Sequence, residues 1–110
     1  MKKVDKPWGY EIIWAETESY VGKILHINAG HRLSKQYHQI KEETVYVLKG
    51  TLYNYENDDS ITIIEEGNSL HIYPNQIHRF GSGDSFVEIV EVSTPHLEDV
   101  IRLDDDYDRI

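Results

Sequence analysis

Gln36, His38 and Glu43 are spaced as Q-x-H-x4-E, and His78 follows on a separate strand-like segment. An amide oxygen, two imidazoles and a carboxylate make a plausible ligand set for a divalent cation, Zn²⁺ first, with Mn²⁺, Co²⁺ or Fe²⁺ as alternatives. The chain has no cysteine, so only nitrogen and oxygen ligands are available, and disulfides and a thiol nucleophile are excluded. A glutamine amide in the set points away from redox iron chemistry. Coordination requires both imidazoles neutral, so acid should release the metal. The competing reading keeps the same four residues as a hydrogen-bonded core network.

Such ligands must be held by rigid elements, and the sequence between them reads as short alternating or β-branched runs broken by turn residues. Strands are expected at Tyr10–Trp14, Tyr20–Asn28, Arg32–His38, Thr44–Lys49, Thr51–Tyr55, Ser60–Ile64, Ser69–Tyr73, His78–Gly81 and Phe86–Ser93. Turn chemistry separates them, at Asn28-Ala29-Gly30, Asn57-Asp58-Asp59, Glu66-Gly67-Asn68, Pro74-Asn75 and Gly81-Ser82-Gly83-Asp84. Gly50, with almost no loop around it, predicts a tight hairpin. Leu97–Arg102 reads as a helical tail. Gln36 and His38, two apart, share one face of a strand. Glu43 begins the next strand and His78 opens another, so four ligands can converge inside one all-β barrel.

At 110 residues the chain is expected to form one domain with its own core. Its formal charge of −9 argues against nucleic acid and anionic membranes as partners. No apolar run reaches membrane-spanning length and no signal-peptide pattern opens the chain, so a soluble, cytoplasmic protein is expected. Much of the acidity is local, in Glu56-Asn57-Asp58-Asp59, Glu65-Glu66 and the tail, and reads as solvated turns. An anionic substrate would therefore need its own Arg or Lys.

Four segments carry a family resemblance over nearly the whole length. Lys6-Pro7-Trp8-Gly9-Tyr10-Glu11 resembles an R-P-W-G-x-Y/F-E opening. Gly30-His31-Arg32-Leu33-Ser34-Lys35-Gln36-Tyr37-His38, followed by Glu43, is similar to P-G-x-x-L-S-L-Q-x-H-H-H-R-x-E. Ile72 to Arg79 matches I-P-x-x-x-x-H-R, and Glu98 to Arg109 resembles E-D-D-I-V-R-x-E-D-x-Y-G-R. These are similar to the motifs of the cupin superfamily, small jelly-roll β-barrels with an internal metal. More closely, they resemble the C-terminal isomerase domain of type II mannose-6-phosphate isomerases, often fused to a GDP-mannose pyrophosphorylase. The resemblance implies a cupin-type jelly roll over residues 1–110 with a short C-terminal tail, and metal ligands at Gln36, His38, Glu43 and His78. It departs in places: H-H-H-R is reduced to His38-Gln39-Ile40-Lys41, Lys35 replaces leucine, Val45 replaces an aromatic and Asp108 replaces glycine. The nucleotidyltransferase part has no counterpart in these residues, so they imply no pyrophosphorylase activity.

The resemblance implies aldose–ketose isomerisation of a sugar phosphate, mannose 6-phosphate to fructose 6-phosphate, feeding GDP-mannose and polysaccharide synthesis. A metal would act as Lewis acid on an enediolate, and a general base must take the C2 proton. Glu43 is occupied as a ligand, so the catalytic candidates are His26, Tyr46 and His71, if they face the cavity; a half-exposed strand position is the competing reading for both histidines. Arg32, Lys35, Arg102 and Arg109 are candidates to bind the substrate. Arg102, then Arg109, would hold its phosphate, against the reading that each pairs with the acidic tail. Trp8, Trp14 and Tyr10 are expected to pack the N-terminal segment against the barrel, or else to stack on a sugar. Two other functions compete: a nucleotide-sugar ketoisomerase or epimerase, and a non-catalytic sugar-binding module. A homodimer is expected through outer strands.

Overall fold

The computed structural model describes every residue, Met1–Ile110, and contains eleven strands and no helix. They are β1 (Lys2–Lys6), β2 (Gly9–Glu16), β3 (Val21–Ile27), β4 (Lys35–Tyr37), β5 (Glu43–Lys49), β6 (Leu52–Tyr55), β7 (Ile61–Ile64), β8 (Ser69–Ile72), β9 (Arg79–Gly81), β10 (Val87–Ser93) and β11 (Ile101–Asp104). A six-stranded sheet runs β1-β2-β3-β10-β5-β8, a three-stranded sheet runs β7-β6-β9, and β11 pairs with β4. All the pairings are antiparallel. Bridges from Arg32 to Gly81 and from Gln36 to His78 join the two smaller sheets, so the fold is a jelly roll whose ladders do not close into one continuous barrel.

Alternation decides which side chains enter the interior. β3 buries Val21, Lys23, Leu25 and Ile27; β5 buries Glu43, Val45 and Val47; β10 buries Val87, Ile89, Glu91 and Ser93. Twelve apolar residues, among them Trp8, Leu25, Ile27, Val45, Leu52, Phe80 and Ile89, form the core. Each fully buried aliphatic side chain contributes about 1.5–3 kcal/mol relative to exposure.

Two local expectations are corrected. Gly50 does not close a hairpin, because β5 and β6 lie in different sheets. It is the corner between them: its φ is 84°, and a Cβ there would sit 2.6 Å from the Phe86 carbonyl oxygen. The tail is not helical either. Ile101–Asp104 adds to β4, pairing Ile101 with Tyr37 and Arg102 with Gln36, which occupies backbone groups that would otherwise form a free edge. Arg79, buried beneath it, donates to the Leu33 carbonyl at 2.8 Å, to Asp104 at 2.9 Å and to Asp106 at 3.1 Å. That guanidinium holds in place an acid-rich segment that would otherwise repel itself.

Candidate metal centre and cavity

β4 delivers Gln36, the turn after it delivers His38, β5 opens with Glu43, and His78 stands just before β9. Gln36 and His78 face each other in an antiparallel bridge, with backbone hydrogen bonds of 3.0 and 2.9 Å, so their side chains share a face. One nitrogen of each imidazole and one carboxylate oxygen of Glu43 lie within 4.8 Å of one another, and all three residues are buried.

Hydrogen bonds fix the imidazole tautomers. His38 Nδ1 is 2.5 Å from the Asp99 carbonyl oxygen, and His78 Nδ1 is 3.0 Å from that of Gln76. A carbonyl only accepts, so each Nδ1 carries a proton and each neutral ring presents a bare Nε2. Those Nε2 atoms lie 3.7 and 3.3 Å from Glu43 Oε1. Neither finds a hydrogen-bond partner, and neither does Glu43 Oε2, although the Lys41 ammonium stands 3.2 Å from it. Burial pushes the Glu43 carboxyl up and the Lys41 ammonium draws it down; bare Nε2 lone pairs add nothing to that pull. Two lone pairs facing a buried carboxylate are costly when left alone and are suited to a cation between them. The residues fit a divalent metal. Gln36 Oε1 accepts from Ser34 Oγ at 2.7 Å and retains a second lone pair.

Beside this group lies a cavity of about 140 Å³, lined in part by Gln36 and His38. Five of its charged wall residues, Lys6, Glu11, Lys23, Lys41 and Glu91, went unrecognised in the sequence. Lys6 stands 3.9 Å from Glu11, Glu11 3.3 Å from Lys23, and Lys41 3.2 Å from both Glu91 and Glu43. Lys23 is registered opposite Glu91 on neighbouring strands, so the signs alternate from the N-terminal strand to the histidines. Burial and the Glu43 charge push the Glu91 carboxyl up to about 8, against the pull of Lys41. Lys41 stays charged because Glu91 and Glu43 outweigh the burial that would lower it. The available signal was parity: Lys23 and Glu91 occupy the positions of an inward-facing alternation, where a charge is ordinarily assumed to point outward.

The other residues singled out from sequence divide into two sets. Arg102 and Arg109 line the cavity; Arg32 and Lys35 do not. Arg32 is bound to Asp106, and Lys35 to Asp59 and the Asn57 carbonyl. Arg109 grips Asp105 through two nitrogens, at 2.8 and 2.9 Å, whereas the buried Arg102 Nε has no partner. Pairing with the acidic tail thus describes Arg32, Arg79 and Arg109, and Arg102 differs.

His26, Tyr46 and His71 all lie on the outer face of the six-stranded sheet, so the half-exposed strand position describes both histidines, and none of the three catalytic candidates faces the cavity. His26 is stacked between Tyr10 and Phe86 and bound to Glu88 at 2.9 Å. Tyr46, 46% exposed, sits between inward Val45 and Val47. His71 bonds Thr44 and Glu42. Trp8 is buried at the cavity wall, while Trp14 lies on the outer face against Gly22. A broader depression of about 870 Å³ lies at the surface beside Glu16, Glu18, Glu98 and Asp99, and its acidity disfavours an anionic ligand.

A jelly roll carrying a His–Glu–His group inside it defines a cupin, and solved cupins superpose on this chain. A cupin-like protein from Thermotoga maritima covers 87% of the chain and 76% of its own, with TM-score 0.78 and 19% identity. An RmlC-like cupin from Methanocaldococcus jannaschii with a double-stranded β-helix fold covers 86% and 82%, with TM-score 0.69 and 19% identity. A cupin-superfamily sugar phosphate isomerase from Silicibacter pomeroyi DSS-3 covers 77% and 58%, with TM-score 0.69 and 15% identity. The chain belongs to the family described as mannose-6-phosphate isomerase C-terminal, whose profile matches residues 1–105. It is 30% identical over 105 residues to a mannose-1-phosphate guanylyltransferase from Sinorhizobium fredii (strain NBRC 101917 / NGR234). That match takes in 92% of this chain but spans only 20% of that protein.

Proposed function

We propose that this chain is a metal-dependent isomerase of a phosphorylated sugar, with mannose 6-phosphate to fructose 6-phosphate as the leading reaction. The observation that carries the reading is the pair of bare, buried Nε2 atoms of His38 and His78 aimed at Glu43, opening beside a cationic cavity. Membership of the mannose-6-phosphate isomerase C-terminal family supports the substrate class.

Gln36, His38, Glu43 and His78 would hold the metal, Zn²⁺ by preference for this nitrogen and oxygen set. When bound, it would supply Lewis-acid stabilisation of negative charge on a substrate oxygen. The remaining work falls to the protein. Lys6, Lys23, Lys41, Arg102 and Arg109 line the cavity against Glu11 and Glu91, which gives an anion a favourable local field in a chain of net charge −9. Arg102, its Nε unpartnered, is the residue proposed to receive the phosphate, with Arg109 behind it. The cavity is smaller than the roughly 300–1,000 Å³ of most small-molecule pockets, which favours entry of the reacting end of the sugar with the phosphate at the mouth.

The test combines metal content with turnover of mannose 6-phosphate on one metal-loaded sample. One metal per chain with turnover, both lost in His38→Ala/His78→Ala, is the expected result. Failure to take up a metal under loading conditions would overturn the reading. Metal without turnover would move the function to another sugar or to binding.

A further inference from the structure

The isomerisation needs a base inside the cavity that is not a metal ligand, and His26, Tyr46 and His71 face away from it. Four carboxylates are buried, Glu11, Glu43, Glu91 and Asp105, and both oxygens of Asp105 are taken by Arg109. Glu43 belongs to the candidate metal group. Glu91 is held at 3.2 Å by Lys41 and has a side chain only 5% exposed. Glu11 is different. Its Oε2 accepts from Lys23 at 3.3 Å, while its Oε1 makes no hydrogen bond and has only Lys6 near it, at 3.9 Å. It lines the cavity from β2, whereas Gln36 and His38 enter from β4 and the turn after it.

The local sequence is built to bring it there. Lys6, Trp8 and Glu11, from the opening segment Lys6-Pro7-Trp8-Gly9-Tyr10-Glu11, all line the cavity. Gly9 has a φ of 152°, and a side chain there would strike the His26 carbonyl. Its bare backbone lets the β1–β2 turn lie flat on β3, where Lys23 meets Glu11.

We propose that Glu11 is the proton-transferring base of this cavity, with Lys23 as the residue that orients it. This rests on the isomerase reading above. Glu11 Oε1 takes the C2 proton of the open-chain aldose; the C–H electron pair becomes the C1–C2 π bond, and the C1 carbonyl π pair becomes a lone pair on O1. The O2 proton passes to O1, and the pair left on O2 forms the new carbonyl at C2. The C1–C2 π pair then takes the proton back from the Glu11 carboxyl, at C1. Nothing is oxidised or consumed overall.

The test compares the Zn²⁺-loaded protein with Glu11→Gln on mannose 6-phosphate in D₂O, reading kcat, KM, deuterium incorporation and metal content. With the wild type active, a kcat lower by roughly 10²–10⁴-fold, with KM and metal content held, supports the assignment. A Glu11→Gln kcat within threefold of wild type overturns it while leaving the isomerase reading intact. A wild type inert to the substrate overturns both. If Glu11→Gln fails to fold because Lys23 is left unpaired, the same comparison is made with Glu11→Gln/Lys23→Met, which removes the charge pair together.

Discussion

The interior of this jelly roll has two halves built from the same strands. At one end β3, β5 and β10 contribute Leu25 and Ile27, Val45 and Val47, and Val87 and Ile89. At the other they contribute Lys23, Glu43 and Glu91. The register places the boundary within one residue pair: Ile89 pairs with Leu25 and Val47, and two residues on, Glu91 pairs with Lys23 on one side and Val45 on the other. The apolar half gains stability from each group it removes from water, whereas the polar half is held by alternating charges and keeps three buried atoms without hydrogen bonds around the histidines. Stability and chemistry are separated along the strands rather than between layers.

This division is tested most severely at Lys41. Lys41→Met leaves Glu43 and Glu91 buried together without their shared cation, and should destabilise by about 3–5 kcal/mol in a urea titration. Lys41→Met/Glu91→Leu should recover part of that loss, because Glu43 stays buried without its cation, while turnover stays impaired. A double variant as unstable as the single one would mean that the charges of this half are structural. At the apolar end, Ile89→Val should cost about 0.5–1.5 kcal/mol and leave metal content unchanged; loss of metal would break the separation.

An effect of similar size lies in the tail. Hydrogen bonds from Arg109 hold the Asp105 carboxyl down to about 2, below its unfolded value near 4. The stability this adds is present above pH 4 and is lost as pH falls through 2. Asp105→Asn should therefore lower stability by about 1 kcal/mol at pH 6, and the gap to wild type should close in thermal melts between pH 4 and pH 2.

The apolar half was the legible half. Alternation in Tyr20–Asn28, Thr44–Lys49 and Phe86–Ser93 marks strands within one residue of their observed ends, and Gln36, His38, Glu43 and His78 stand out by type and spacing. The strand-borne charges of the cavity wall were not legible, because Lys23, Glu91 and Glu11 are residues that strands usually turn to water, whereas Arg102 and Arg109 stood out by type. Tyr46 was misplaced for a related reason. With Glu43 inward, every second residue is inward, so Thr44 and Tyr46 must face out. The tail hid its strand because Ile101–Asp104 has neither clean alternation nor a partner nearby in sequence, and only β4 makes it extended. Gly50 looked like a hairpin because a glycine at positive φ serves a turn and a sheet-switching corner equally well.

Asp99 joins the tail to the histidine group through two of its groups. Its carbonyl holds the His38 ring, and its carboxylate accepts from the backbone nitrogens of Gln39, Ile40 and Lys41 at 2.7–3.1 Å. Docking of the tail and orientation of the ring are consequently one equilibrium seen from two ends. Any ligand that binds the oriented ring more tightly than a free one must tighten the tail by the same free energy, and a loosened tail must weaken that ligand equally.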